Sequence, residues 1–139
     1  SGCNLSMAEL TQTALQDVKF KDCKLIGLHF ENCKDFLFSA DFDNCVVQLA
    51  SFYRVKLKKT VFKNCMLHEV DFTESDLSNA VFDNCDLAGA TFDNTILEKA
   101  DLRTARNYSI NPQSNRIRKA KFSTIGIAGL LDEYDIEIE

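Results

Sequence analysis

The chain has 139 residues, and its 21 acidic against 16 basic side chains leave a net charge of −5. That length supports one domain with a sizeable core. A composition of 45% hydrophobic and 27% charged residues excludes a disordered polyelectrolyte, and no apolar run approaches the ~20 residues that a spanning helix requires. Nucleic-acid binders usually carry clustered Lys and Arg, so the negative balance argues against a phosphate-binding surface.

The chain opens Ser1-Gly2-Cys3 without an initiator Met, which reads as a cut chain with Ser1-Gly2 as a cleavage scar. From Leu5 onward every fifth residue is apolar: Leu5, Leu10, Leu15, Phe20, Leu25 and Phe30. A two-residue slip follows in Glu31-Asn32-Cys33-Lys34-Asp35-Phe36, read as a bulge or small corner loop that leaves Phe36 or Phe38 partly exposed. The period resumes at Leu37 and runs through Phe42, Val47, Phe52 and Leu57 to Leu102. Two places before these residues the side chain is mostly small, as at Ala40, Ala50, Thr60, Ser75, Ala80 and Ala100.

A period of five suits neither regular element. Five residues turn an α-helix by about 500°, so the apolar column would step around its axis, and an odd step in a strand flips the side chain to the other face. The chain must turn a corner every five residues. Identity recurs at twenty, in Cys45, Cys65 and Cys85 and in Phe42, Phe62 and Phe82, which makes four sides per coil. The predicted fold is an all-β, four-sided solenoid whose coils stack at ~4.8 Å. Sorted by side, Phe20, Phe42, Phe62 and Phe82 form one wall and Phe30, Phe52, Phe72 and Phe92 the wall opposite, with smaller residues between. Such walls fill a narrow square interior without voids. An indole N–H in that stack would lack a partner, which accounts for Phe in place of Trp.

Beyond Arg106 the period breaks from Asn107 to Asn115, and Pro112, the only proline, marks a loop. Ile117 and Phe122 read as one last partial coil. Ser123 or Thr124 is expected to cap a short helix through Leu131, and Asp135-Ile136-Glu137-Ile138-Glu139 alternates as a strand does. The chain thus divides into a repeat solenoid over 3–106, a loop and partial coil over 107–122, and a terminal helix and strand over 123–139. An open solenoid end exposes core and strand edges. The last segment is therefore expected to be an intramolecular cap or a dimer interface built from Ile127, Leu130, Leu131, Tyr134, Ile136 and Ile138.

The repeat resembles the pentapeptide-repeat family, whose motif runs small, Asp or Asn, Leu or Phe, polar, polar, as in Ala40-Asp41-Phe42-Asp43-Asn44, Ser75-Asp76-Leu77-Ser78-Asn79 and Ala100-Asp101-Leu102-Arg103-Thr104. The resemblance covers about residues 3–106 and implies a right-handed quadrilateral β-helix of about five coils. The stretch from Leu130 to Ile138 resembles the C-terminal dimerisation segment of the quinolone-resistance members, implying a homodimer with Ile136 and Ile138 entering across a two-fold axis. Those members are thought to mimic DNA and occupy a type II topoisomerase, so an acidic wall is the second expectation. The candidate is the Phe30 side, with Glu31, Asp71, Glu74 and Asp93 against Arg54; the Leu57 side is basic through Lys56, Lys58 and Lys59. B-DNA carries a charge every ~1.7 Å, so about 24 Å of solenoid should match ~14 phosphates. Four acids and one base fall short of that density.

Cys3, Cys23, Cys45, Cys65 and Cys85 fall in one corner column. Zinc sites want paired ligands a few residues apart, and Cβ atoms at ~4.8 Å lie beyond the disulfide range. The expectation is reduced, buried thiols acting as small apolar filler in a reducing, cytoplasmic compartment, with no metal and no cofactor. Asp22, Asn44, Asn64 and Asn84, each preceding a cysteine, should form a ladder across coils. His29 and His68 take outward positions on adjacent sides, with no nucleophile, base and orienter brought together by the register. No GxGxxG, P-loop, HExxH or GxSxG motif occurs. Ile26, Val46, Leu49 and Met66 face outward on one side as a second contact patch. The expected function is a non-enzymatic protein-interaction solenoid, homodimeric through its C-terminus, with no nucleic acid or membrane partner. The alternative is a DNA-mimicking modulator of gyrase.

Overall fold

The computed structural model describes residues 2–33 and 38–139. Six short strands, β1 (Val18–Lys21), β2 (Ala40–Asp43), β3 (Val61–Lys63), β4 (Val81–Asp83), β5 (Asp101–Leu102) and β6 (Lys121–Phe122), form one parallel sheet in chain order. Phe20 lies beside Phe42, an offset of 22, and from there Phe42 pairs with Phe62 and Phe62 with Phe82, an offset of 20. The other three walls are parallel single-residue bridges, running Val46, Met66, Asp86, Arg106 on one, Ser51, Asp71, Thr91 on the next and Asp76, Ile96, Arg116 on the last. The chain is the expected four-sided, right-handed β-solenoid of about five coils. Among the described residues no helix is long and apolar enough to cross a membrane.

Corners follow from local chemistry. After a central residue the chain makes a β-turn that returns the N–H of the next small residue to the central carbonyl, as in Val55 to Phe52 (3.0 Å), Ser75 to Phe72 (3.1 Å) and Ala80 to Leu77 (3.0 Å). The third residue of these turns has positive φ, 60° at Arg54, 56° at Glu74 and 60° at Asn79, the requirement of a type II geometry. Gly89, Asn64 and Asn84 meet that requirement at little cost, whereas Leu49, at φ 59°, bears the Cβ clash of the left-handed region.

Inside, rings stack along each aromatic wall and meet edge-on across the axis. Phe42 and Phe62 lie 4.9 Å apart and 5° from parallel, Phe52 and Phe72 5.5 Å apart and 5°, while Phe42 meets Phe52 at 5.9 Å and 84°. Both arrangements suit the ring quadrupole. Leu57, Leu67, Leu77, Leu87 and Leu97 fill the remaining walls, fully buried. The first coil is less well covered: Leu5 is 42% exposed, and Leu10 and Leu15 are only partly buried. Phe38 is half-buried and meets Phe30 edge-on at 6.1 Å. The slip at Lys34 to Leu37, Phe36 included, lies outside the described residues.

The register continues beneath Pro112. Arg106 sits beside Asp86, Arg116 beside Ile96 and Lys121 beside Asp101, while Tyr108 and Ile110 plug the interior. The helix expected over 123–131 is instead a 3-10 turn, Ile127–Leu130, followed by another at Asp132–Tyr134. Gly126 and Gly129 weaken an α-helix, and both are needed here for close approach. A Cβ on Gly129 would strike the Tyr108 carbonyl oxygen and one on Gly126 the Tyr108 hydroxyl. The Ile110 N–H donates to the Gly129 carbonyl at 3.0 Å, and Ser123 Oγ accepts from the Gly126 N–H at 3.1 Å. The strand expected at 135–139 has no ladder partner among the described residues and is exposed throughout, because a lone strand leaves its main-chain groups unbonded.

Candidate functional site

The cysteine corner is a hydrogen-bonded wall. Cys23, Cys45, Cys65 and Cys85 are buried, and from the second of these on, each thiol donates to the carbonyl of the phenylalanine one coil back: Cys45 to Phe20 at 3.3 Å and Cys85 to Phe62 at 3.2 Å. A different corner does the same with other donors, Thr95 Oγ1 to Phe72 at 2.8 Å and Asn115 Nδ2 to Phe92 at 3.0 Å. Hydrogen bonding with Cys65, then burial, pushes the Cys45 thiol up from its ordinary value; burial and the Glu31 charge push Cys33 up to about 11. Both are thereby held protonated and are poor nucleophiles, whereas hydrogen bonding with Cys65 pulls the Cys85 thiol down from its ordinary value. Cys23, Cys33, Cys45, Cys65 and Cys85 form no disulfide. Cys3, expected to be buried with its column, is exposed. The Asx ladder is present in two steps, Asn44 Nδ2 to Asp22 Oδ1 and Asn84 Nδ2 to Asn64 Oδ1, both 2.7 Å. Among the described residues no group of three His, Cys, Asp or Glu is placed to hold a metal ion.

The histidines are better partnered than the register suggested. His68 Nε2 lies 2.8 Å from Asp86 Oδ2, and His29 Nδ1 3.5 Å from Glu31 Oε1. Residues 68 and 86 flank central residues of successive coils on one wall, a diagonal contact that a count of aligned positions overlooks. Burial alone would raise the Asp86 carboxyl, but hydrogen bonds from Asn107, His68 and the Ala88 N–H outweigh it and hold the group down to about 2. The adjoining shallow depression, lined by Gln48, His68, Glu69, Ala88 and Gly89, contains no Ser, Thr or Cys that the histidine could activate.

Charge is unevenly placed. Of the acidic candidates, Glu31 faces His29, Glu74 is paired with Arg54 at 3.5 Å, and Asp71 Oδ1 accepts the Thr73 N–H at 2.9 Å; Asp93 lies on the same wall. Removing Asp132, Glu133, Asp135, Glu137 and Glu139 from the 21 acids leaves 16, which the 16 Lys and Arg balance. The whole net charge therefore sits in the last eight residues. The basic wall extends past Lys56, Lys58 and Lys59 to Lys99, Arg116, Arg118 and Lys119; of its acids, Asp76 lies 3.7 Å from Lys58 and Glu98 lies among Lys99, Arg118 and Lys119.

The C-terminal end carries most of the exposed large apolar side chains, with Met7 and Leu5 exposed at the other end. Ile125 is 96% exposed, with Ile127, Leu131, Tyr134, Ile136 and Ile138 between 36% and 57%. Leu130, expected to share that surface, is 9% exposed and packs in the chain's own core, under the turn that closes on Tyr108. Elsewhere Leu49 and Met66 stand out at 54% and 40%, with Ile26 and Val46 partly covered.

A trypsin-treated variant of QnrB1, a plasmid-mediated fluoroquinolone resistance protein, superposes on 99% of this chain with a TM-score of 0.60 at 22% identity. The present chain spans 66% of that chain's length. Full-length QnrB1 gives 0.43 at 16% identity over 96% of this chain and 98% of its own, and the pentapeptide repeat protein Rfr23 from the cyanobacterium Cyanothece 51142 gives 0.38 at 19% over 76% and 88%. No curated protein sequence matches the chain. The family model described as a pentapeptide repeat region matches residues 35–122, more than half the chain, and with the five-residue period and the four-walled solenoid it establishes that this chain belongs to the pentapeptide-repeat family.

Proposed function

We propose that the chain is a non-enzymatic protein-interaction solenoid that pairs with a second copy through its C-terminal end. One observation carries the reading: Ile125, Ile127, Leu131, Tyr134, Ile136 and Ile138 are all exposed in a single terminal stretch, whereas large apolar side chains gathered on one surface mark interaction sites. The walls support a binding role over catalysis, since the one His–Asp pair has no nucleophile beside it. Five buried thiols that form no disulfide support placement in the reducing cytoplasm. Light scattering of the full chain tests the pairing. Twice the 15.7 kDa monomer mass is expected, and a monomer for the Ile127→Asp, Ile138→Asp double variant; a monomeric parent chain would refute it.

The solenoid likeness to QnrB1 favours a second reading, interaction with a type II topoisomerase. Charge placement disfavours the DNA-mimicking form of it, because the body through Leu131 is balanced and Arg54, paired with Glu74, interrupts the acidic wall. A gyrase supercoiling assay with and without quinolone separates the two, with no protection expected.

A further inference from the structure

The wall that starts at Leu57 gathers positive charge over four successive coils. Its bridged row runs Lys56, Asp76, Ile96, Arg116. Its corner row runs Lys59, Asn79, Lys99, Lys119, all in the left-handed region at φ 62°, 60°, 59° and 60°. Between the rows stand Lys58, Ser78, Glu98 and Arg118. Every base in these rows is exposed. Two acids oppose them: Asp76 lies 3.7 Å from Lys58, and Glu98 lies among Lys99, Arg118 and Lys119. Seven bases against two acids leave the wall a surplus of five positive charges. The body through Leu131 is neutral, so the compensating negative charge is on its other faces.

We infer that this wall is a docking surface for the phosphate backbone of duplex DNA. Four coils stacked at ~4.8 Å carry it over ~14 Å. One strand of B-DNA presents a phosphate every ~3.4 Å, about four over that length, and the five surplus charges match them. The chain's net negative charge does not describe this wall, because that excess lies beyond Leu131. A peptide finds little to hold here. The main chain is already used, with the N–H groups of Lys59, Asn79 and Lys99 donating to Ser78, Glu98 and Arg118 of the next coil, so no strand edge is open along the face. Ile96 is the one apolar side chain among these outward positions, and it is half-buried, which gives a partner no apolar anchor. What the wall offers is charge at regular steps on long side chains. That suits a regular polyanion held by its backbone without regard to base sequence.

Fluorescence anisotropy of a labelled 20-base-pair duplex with the full chain at 50 mM NaCl tests it. Saturable binding is expected, weakened about a hundredfold at 200 mM NaCl by the release of about four counterions. Lys59→Glu, Lys119→Glu should weaken it at least tenfold. Glu69 and Glu74 already occupy the same corner conformation at φ 56°, so the fold accepts both changes, which circular dichroism checks. Lys19→Glu, Lys63→Glu, on the wall of β1 and β3, makes the same change in net charge and should alter binding by less than about threefold. A duplex that does not bind would overturn the inference. An equal loss in both variants would also overturn it, since binding would then follow net charge and not this wall. Displacement by poly-glutamate as effective as by unlabelled duplex at equal charge would assign the wall to an acidic protein, and tighter binding to phosphatidylserine vesicles would assign it to a lipid surface; either result overturns the DNA reading.

Discussion

At the scale of single residues the solenoid is governed by side-chain volume inside and backbone φ at the corners. Phe62 is fully buried between stacked Phe42 and Phe82 and edge-on to Phe52 and Phe72, so Phe62→Ala should cost about 3–5 kcal/mol in a urea melt. Leu49 presents the opposite case, a 54% exposed leucine at φ 59°. Asn tolerates that region better, and Leu49→Asn should raise stability by about 0.5–1 kcal/mol in the same measurement. Both positions are legible in the sequence, Phe62 from its column and Leu49 from its place two after Val47. Their opposite signs come from the register alone.

Between coils the unit of stability is the wall. The cysteine corner uses the thiol as a small donor, the role that Thr95 fills on another corner through its own bond to Phe72. Cys65→Ser, which keeps a donor facing the Phe42 carbonyl, should therefore cost no more than about 1 kcal/mol, and Cys65→Leu about 1–3 kcal/mol through overpacking. A thiol reagent applied to the native protein should label Cys3 at once and the five buried thiols only on unfolding. On the neighbouring wall, Asp86 has a folded-state pKa of about 2, below its value of 3.8 when unperturbed. Its contribution is present above the unfolded value and fades as pH falls from about 5 towards 2. After allowance for screening it is about 1–2 kcal/mol. Acid unfolding of the parent against Asp86→Asn should show a gap that closes over that window, and a gap independent of pH would disprove the assignment. The cysteine column could be read from spacing, but the Asp86 site could not, because its partners His68 and Asn107 stand diagonally in adjacent coils.

Over the whole molecule the two ends behave differently from the middle. Gly129 must let the terminal turn approach Tyr108, so Gly129→Ala should detach the turn Ile127–Leu130, open it to protease and abolish any dimer while leaving the solenoid melt nearly unchanged. The net charge of −5 also acquires a location, since all of it resides beyond Leu131 and is opposite in sign to the basic wall. Surface charge summed over the four walls is close to balance, which is why an acidic face suggested by Glu31, Asp71, Glu74 and Asp93 does not develop into a continuous stripe.

The order of residues by itself determined the coil length, the four walls, the 22-residue coil and the identity of every stacked phenylalanine. In a solenoid each repeat meets the same position of its neighbour, so one-dimensional period and three-dimensional contact are the same information. Tertiary structure alone decided the rest. It showed that Leu130 belongs to the core, that Gly126 and Gly129 turn a predicted helix into 3-10 turns over Tyr108, and that Tyr108 in turn meets Phe122 of the last coil. Those outcomes depend on how a non-repeating segment closes over an open end, where no neighbouring coil supplies a template and only the shape of the exposed core selects the fit.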